Sequence, residues 1–201
     1  MKTTIHLLTI AMALIFAGTA CTQQEIEDPV FDYNLKSAKV IETNNGFGLE
    51  LLKTVVADEE KPNIMISPAS VSIALGMTYN GAETTTKEAF EEVLNYDGLT
   101  RGEVNEITKE LIHVLVTNAE GNLLEIANSI WTDDGFPVHQ DFMDLNANYF
   151  DAEVREIDLQ TAEALEAINQ WASDKTHGKI EEILKPENID PETAMILLNA
   201  L

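Results

Sequence analysis

Apolar residues recur every three or four positions along several stretches of this 201-residue chain, which is the spacing of one face of an α-helix. The helices that this pattern predicts cover residues 44–58, 68–80, 85–94, 104–115, 142–149 and 161–177. The third begins with the spacing of a capping box at Thr85 and Glu88, and Gly178 closes the last. The globular domain is therefore expected to begin near Asn44.

Alternating or uninterrupted apolar residues mark the predicted strands, at residues 64–66, 124–130, 152–157 and 194–201. The first is expected to be short and buried and to lead directly into a helix start at Ser67-Pro68. The last is an apolar run typical of a strand covered on both faces. Because helices come first and strands interleave later, the predicted fold class is α+β rather than a regular βαβ repeat.

The first 20 residues have the layout of a secretory signal, with Lys2, an apolar run at residues 5–17, and small residues up to Ala20. This run is too short for a spanning helix. Residues 21–43 are polar and acidic at first and contain Asp28-Pro29, so they are expected to form a mostly irregular tether. The sequence therefore predicts an exported protein.

Cys21 is the only cysteine, which excludes a disulfide within the chain and a multi-cysteine zinc site. Its position is similar to that of the lipidated cysteine of a bacterial lipoprotein, although Gly18 stands where such signals usually carry Leu. Ordinary cleavage after Ala20 is the alternative. The protein is expected in the bacterial cell envelope or outside the cell, with a membrane contacted only through the N-terminal lipid.

The charge and the histidines exclude several classes of function. With 12 Lys and Arg against 35 Asp and Glu, the net charge of −23 repels nucleic acid. Ser67 lacks the Gly-x-Ser-x-Gly surroundings of an exposed nucleophile, and the histidines are not paired at metal-ligand spacing. The sequence predicts no enzyme, no metal and no cofactor.

Ordered motifs over residues 44–201 resemble the serpin family, whose members are mostly serine-protease inhibitors. The residues that carry the resemblance are Phe47, Asn63, Pro68, Asn80, Gly81, Asn128, Thr176, Gly178, Lys179 and Ile180. Each match is weak alone, but the shared order identifies the chain as a member. The resemblance implies the mixed, multi-domain α/β serpin fold in incomplete form, with N-terminal helices packed on part of a large mixed β-sheet.

In this family a bait loop is cleaved by the target protease and inserts into the main sheet as an extra strand. The resemblance implies that Ser67, Ser70 and Asn199 belong to the region where the sheet opens. Taken without the family, Ser67 is a helix N-cap and Ser70 a first-turn serine. The implied partner is a serine protease, or a cysteine protease.

Three further expectations concern the activity, the partners and the association of the chain. The chain ends at Leu201, so the bait loop and its scissile bond are expected to be missing, and the chain alone is expected to be inactive. A non-inhibitory binding or structural module at the cell envelope is the alternative. The predicted long helix carries more acidic than basic residues, so a heparin-like polyanion is not an expected partner. The apolar run before Leu201 is an expected aggregation or pairing site.

Overall fold

The computed structural model describes residues 35–117 and 123–201. Its first helix, α1, spans Leu35–Asp58 and so begins before the expected domain start. Val40 is fully buried, and the Thr43 hydroxyl donates to the Val40 carbonyl at 2.8 Å, which satisfies a buried polar group within the helix. The prediction of an irregular tether is therefore wrong for residues 35–43. The predicted signal, Cys21 and the rest of the tether lie outside the described residues.

Three further helices follow at the predicted places. They are α2 (Pro68–Tyr79), α3 (Thr84–Val93) and α4 (Arg101–Thr117). Val40 and Phe47 of α1 pack with Tyr79, Tyr96 and residues of α4 in one buried cluster. These four helices thus share a core, as their apolar stripes predict.

The capping box lies one helix later than predicted. α3 has Glu83 at its N-cap with no side-chain cap bond, so the box predicted at Thr85 and Glu88 is wrong. At the start of α4, the Thr100 N–H donates to Glu103 Oε2 at 2.9 Å and the Glu103 N–H donates to Thr100 Oγ1 at 3.3 Å. Hydrogen bonds from the Lys36 ammonium and from Thr100 lower the pKa of Glu103 to about 2.

The second half of the described chain builds a small mixed sheet with two helices. Its elements are β1 (Ala127–Thr132), α5 (Gln140–Phe150), β2 (Ala152–Glu156), α6 (Ala162–Lys175), a 3₁₀ turn (Pro186–Asn188) and β3 (Met195–Ala200). The strand order is β2-β1-β3, with β1 parallel to β2 and antiparallel to β3. The predicted α+β class is confirmed, with helices packed on part of a mixed sheet.

Both faces of β3 contact other parts of the domain. Ile196 and Leu198 pack with Trp131 and Trp171, whereas Leu197 packs on the opposite side with a cluster that includes Met77 of α2. Leu198 alone among the β3 residues is buried, and the others are half-buried. The two-sided covering predicted from the apolar run is therefore present, and the strand remains partly open.

Residues 64–66 do not form the predicted buried strand. Asn63 is exposed, Ile64 and Ile66 are half-buried, and the Met65 side chain is 97% exposed. A strand is stabilised by backbone hydrogen bonds to a neighbour, and no described strand lies beside this segment. The strand predicted here from the apolar run alone is therefore wrong.

Two further findings concern membrane spans and metal clusters. Over residues 35–117 and 123–201, no helix is long and apolar enough to cross a membrane. Within the same ranges, no group of three or more His, Cys, Asp or Glu side chains could hold a metal ion.

Candidate functional site

The pairing of β1 with β3 places two asparagine side chains next to each other. Asn128 lies opposite Asn199 in the antiparallel register, and the Asn199 Nδ2 group donates to Asn128 Oδ1 at 2.8 Å. Asn128 Nδ2 in turn donates to the Phe150 carbonyl at 2.7 Å. Phe150 is the last residue of α5, where helix carbonyls have no partner within the helix. Asn128 therefore joins the end of a helix to the edge strand of the sheet.

The side-chain oxygen of Asn199, Oδ1, has no hydrogen-bond partner among the described residues, although it is buried. A buried acceptor without a partner costs about 1–3 kcal/mol. Natural proteins satisfy nearly all such groups. Asn199 thus presents an acceptor that is free to take a donor.

The two serines lie at the start of α2 and contact each other. The Ser67 hydroxyl donates to Ser70 Oγ at 2.9 Å, and the Ser70 N–H donates to Ser67 Oγ at a long 3.4 Å. Pro68 occupies the first turn, where a backbone N–H has no partner within the helix, so the missing N–H of proline costs nothing. α2 packs against β3. Within residues 35–117 and 123–201, no hydrogen bond joins either serine to Asn199. Their shared role in sheet opening stays a prediction.

Asn80 at the end of α2 takes part in a buried network that the sequence did not predict. Its Nδ2 donates to Asn146 Oδ1 at 3.1 Å, and its Oδ1 accepts from Asn105 Nδ2 at 2.9 Å. Asn105 and Asn146 are polar residues within apolar stripes of α4 and α5, which was the available signal. Beside them, a Cβ on Gly81 would lie 3.0 Å from the Phe142 ring, so Gly81 permits close packing of α5.

A tyrosine pair fixes the end of α2 against the next two helices. The Tyr79 hydroxyl donates to Glu91 Oε1 at 2.8 Å, and the Arg101 guanidinium lies 5.2 Å from the Tyr79 ring centre. Burial, with a smaller effect of Glu91, raises the pKa of Tyr79 to about 12. Burial also raises the pKa of Tyr96, which packs edge-on against Tyr79, to about 12. These groups stabilise the helical core rather than form a reactive site.

The Thr176-to-Ile180 motif ends α6. Thr176 Oγ1 donates to the Ala172 carbonyl at 2.7 Å and accepts from the Ile180 N–H at 3.0 Å. Gly178 has φ of +74°, and its N–H donates to the Ser173 carbonyl at 2.8 Å, which closes the helix. Lys179 and Ile180 are exposed. The described contacts of this motif are structural ones.

Comparison with known proteins decides the family. The family model described as "Serpin (serine protease inhibitor)" matches residues 42–201.

The chain belongs to the serpin family.

Two curated relatives match over nearly the whole chain. A serpin-like protein of Methanosarcina acetivorans is 32% identical over 203 residues, covering 97% of this chain and 47% of its own length. Iripin-8 of Ixodes ricinus is 36% identical over 192 residues, covering 94% of this chain and 46% of its own length. The chain thus spans about half the length of the curated relatives it matches.

Solved serpin structures match the fold. Tengpin, a thermophilic serpin in its latent state, is 32% identical, with a TM-score of 0.73 over 84% of this chain and 43% of that chain. Serpins in general inhibit proteases and are not catalysts, and some are not inhibitory.

Proposed function

We propose that this chain is the N-terminal half of a serpin-type protease inhibitor, and that the complete protein traps serine or cysteine proteases by loop insertion into its main sheet. The observation that carries this proposal is the outer edge of β3. β3 pairs with β1 on one side, and no described strand pairs with the other. Its backbone there can accept an added strand.

The asparagine pair supports this proposal, because it fixes the position of the edge strand. Asn128 links Asn199 to the end of α5, so β3 is held to β1 by side chains as well as by the strand ladder. The free oxygen of Asn199 can take a donor when a neighbouring segment arrives. Ser67 and Ser70 lie on the helix that packs on the same strand. These short polar groups can exchange partners as strands move.

The test is covalent trapping by the full-length protein. We expect incubation with a panel of serine and cysteine proteases to give at least one complex that survives denaturing electrophoresis, since trapping leaves an acyl-enzyme bond. The catalytic-site variant of the same protease, which cannot acylate, is the matched control. Cleavage of the protein by every protease of the panel, with no stable complex, would remove the inhibitory function.

A second candidate function, a non-inhibitory module that binds a separate polypeptide, is favoured by an apolar groove. The groove has a volume of about 880 Å³ and lies between α1, α2, α4 and residues 64–66. Met65 and Leu49 at its edge are exposed, at 97% and 62%. An extended apolar segment could pair with residues 64–66 and fill the groove.

Mixing the chain with a separately expressed second half of a serpin tests this candidate. Size-exclusion chromatography with light scattering should then show a one-to-one complex. Met65→Glu should abolish it, whereas Val93→Glu, which changes another exposed apolar residue on α3, should not. No complex, together with protease trapping by the full-length protein, would exclude this candidate.

Export and lipidation form a separate proposal, carried by the sequence of the first 21 residues. Globomycin-sensitive processing and detergent-phase partitioning are expected for the native protein and are expected to be lost in Cys21→Ser. A Cys21→Ser variant that is processed and partitioned like the native protein would show ordinary cleavage or none.

A further inference from the structure

Asparagine side chains form two hydrogen-bonded chains, and both end on the backbone of the same helix, α5. In the first, Asn105 donates to Asn80 at 2.9 Å, and Asn80 donates to Asn146 at 3.1 Å. Asn146 then donates to the Phe142 carbonyl at 3.0 Å. This chain joins α4, the end of α2 and the first turn of α5.

The second chain reaches the other end of α5. Asn199 of β3 donates to Asn128 of β1 at 2.8 Å, and Asn128 donates to the Phe150 carbonyl at 2.7 Å. Phe142 and Phe150 are two turns apart, which is about 12 Å of helix. One short, hydrogen-bonded helix therefore lies between the α2–α4 junction and the edge strand.

Close packing holds α5 at the same two residues. A Cβ on Gly81 would lie 3.0 Å from the Phe142 ring, and one on Gly76 would lie 3.1 Å from the Phe150 ring. At each site a side chain larger than that of glycine would press on the ring. Each end of α5 thus has a phenylalanine whose ring packs on a glycine, in α2 or just after it, and whose carbonyl accepts a bond from an asparagine amide.

Burial makes each chain sensitive to the loss of a single member. Asn105 and Asn146 are 1% and 0% exposed, and Asn128 is 2% exposed. Removal of one amide leaves its neighbour buried without a partner, which is more costly than the loss of an exposed bond. A displaced α5 must therefore change both chains.

We propose that Asn105 and Asn146 are positioning residues that couple α4, through α5, to the pairing of β3 with β1. When the first chain is intact, α5 holds Phe150 where Asn128 can bind it, and Asn128 holds Asn199. A change at α4 is thereby transmitted to the strand edge. The relevance of this coupling to inhibition rests on the proposed function, whereas the coupling itself does not.

A double-mutant cycle in the full-length protein tests the coupling. Asn105→Ala and Asn199→Ala change different hydrogen-bonded chains of asparagines and share no partner. When two sites are independent, each single change raises the unfolding constant by its own factor, and the factor for the double variant is their product to within about twofold. We expect the unfolding constant of the double variant to lie more than about twofold below that product, because Asn105→Ala already loosens the site of Asn199. Thr108→Ala, which truncates a buried residue on the same helix outside the chains, is the control and should combine independently with Asn199→Ala.

The proposal is overturned if the unfolding constant of the Asn105→Ala, Asn199→Ala double variant lies within about twofold of the product expected for independent sites, or above it. If the double variant does not fold, amide exchange in the single variants decides. Asn105→Ala should speed exchange in β3 relative to β2 by at least about threefold more than Thr108→Ala does, and equal ratios overturn the proposal. Neither measurement uses a protease, so failure of the proposed inhibition would leave both results interpretable.

Discussion

The two outer strands of the sheet, β2 and β3, flank the same central strand and differ in chemistry. β2 carries Glu153, Arg155 and Glu156, and Glu153 forms ion pairs with Arg155 at 3.0 Å and with Lys175 at 2.6 Å. β3 has the sequence Met-Ile-Leu-Leu-Asn-Ala, without a charged residue. Charged edge strands resist the addition of another strand, whereas uncharged apolar edges accept one. By this difference in charge, β2 is expected to resist an added strand, and β3 is the edge where one is expected.

The largest expected effect distinguishes the packing of the two strands. Leu198→Ala in β3 should lower the free energy of unfolding by about 2–5 kcal/mol, because it leaves a cavity among Trp131 and Trp171. The matched change Val154→Ala in β2 should cost about 1 kcal/mol, because Val154 is only half-buried. Urea unfolding measures both. Equal costs would show that β3 is no more integrated into the core than β2.

The next effect distinguishes the side-chain links of β1 to each neighbour. Asn128→Ala leaves both the Phe150 carbonyl and the Asn199 amide without their partner, and should cost about 2–3 kcal/mol. Thr132→Ala removes a 3.5 Å bond to the Arg155 carbonyl of β2 and should cost less than about 1 kcal/mol. Urea unfolding with amide exchange of β3 checks the pair, and a larger loss in Thr132→Ala would contradict it.

The pH dependence of stability should involve β2 and not β3. The Lys175 ammonium lowers the pKa of Glu153 below its usual value of 4.5, more than burial raises it. The resulting stability is present above that usual value and is lost as the pH falls through the lowered pKa. Because the pair is partly exposed, its loss should cost less than about 1 kcal/mol. Glu153→Gln should flatten this part of an acid titration of the melting temperature, and an unchanged curve would contradict the assignment.

The smallest effect on stability tests association at the β3 edge. Leu201→Lys changes an exposed residue and should alter the free energy of unfolding by less than about 0.5 kcal/mol. It should nevertheless reduce self-association of the 201-residue chain, measured by light scattering, because a charge then borders the edge strand. Glu156→Lys, at the last residue of β2, is the control and should leave association unchanged. Equal association in the native chain and Leu201→Lys would mean that another surface mediates it.

The sequence predicted the helices well because each has an apolar stripe that packs on a neighbour within the described chain. It placed a strand at residues 64–66 wrongly, because an apolar run does not state whether a pairing strand is present. It also missed the start of α1, where small and polar residues such as Thr43 are buried by partners that no local pattern reveals.

The residues of the candidate site were also predicted only in part. Asn128 and Asn199 were identified through the family resemblance, and the strand register shows that they touch. Asn105 and Asn146 were missed because each looks, in sequence, like a polar interruption of an amphipathic helix. Their shared partner is 25 residues away from one of them and 66 from the other, at Asn80. Contacts at such separations are set by tertiary packing and not by periodicity.

The close approach of α1 to the start of α2 has a consequence for the mutational history of the chain. A Cβ on Gly48 would lie 2.9 Å from the Cβ of Pro68, so no other residue fits there without a shift of one helix. The residue that begins α2 and a residue in the middle of α1 thus constrain each other's replacements. In a deep mutational scan, substitutions at Gly48 should be tolerated better on a background with a smaller residue at position 68, and the two positions should vary together among relatives.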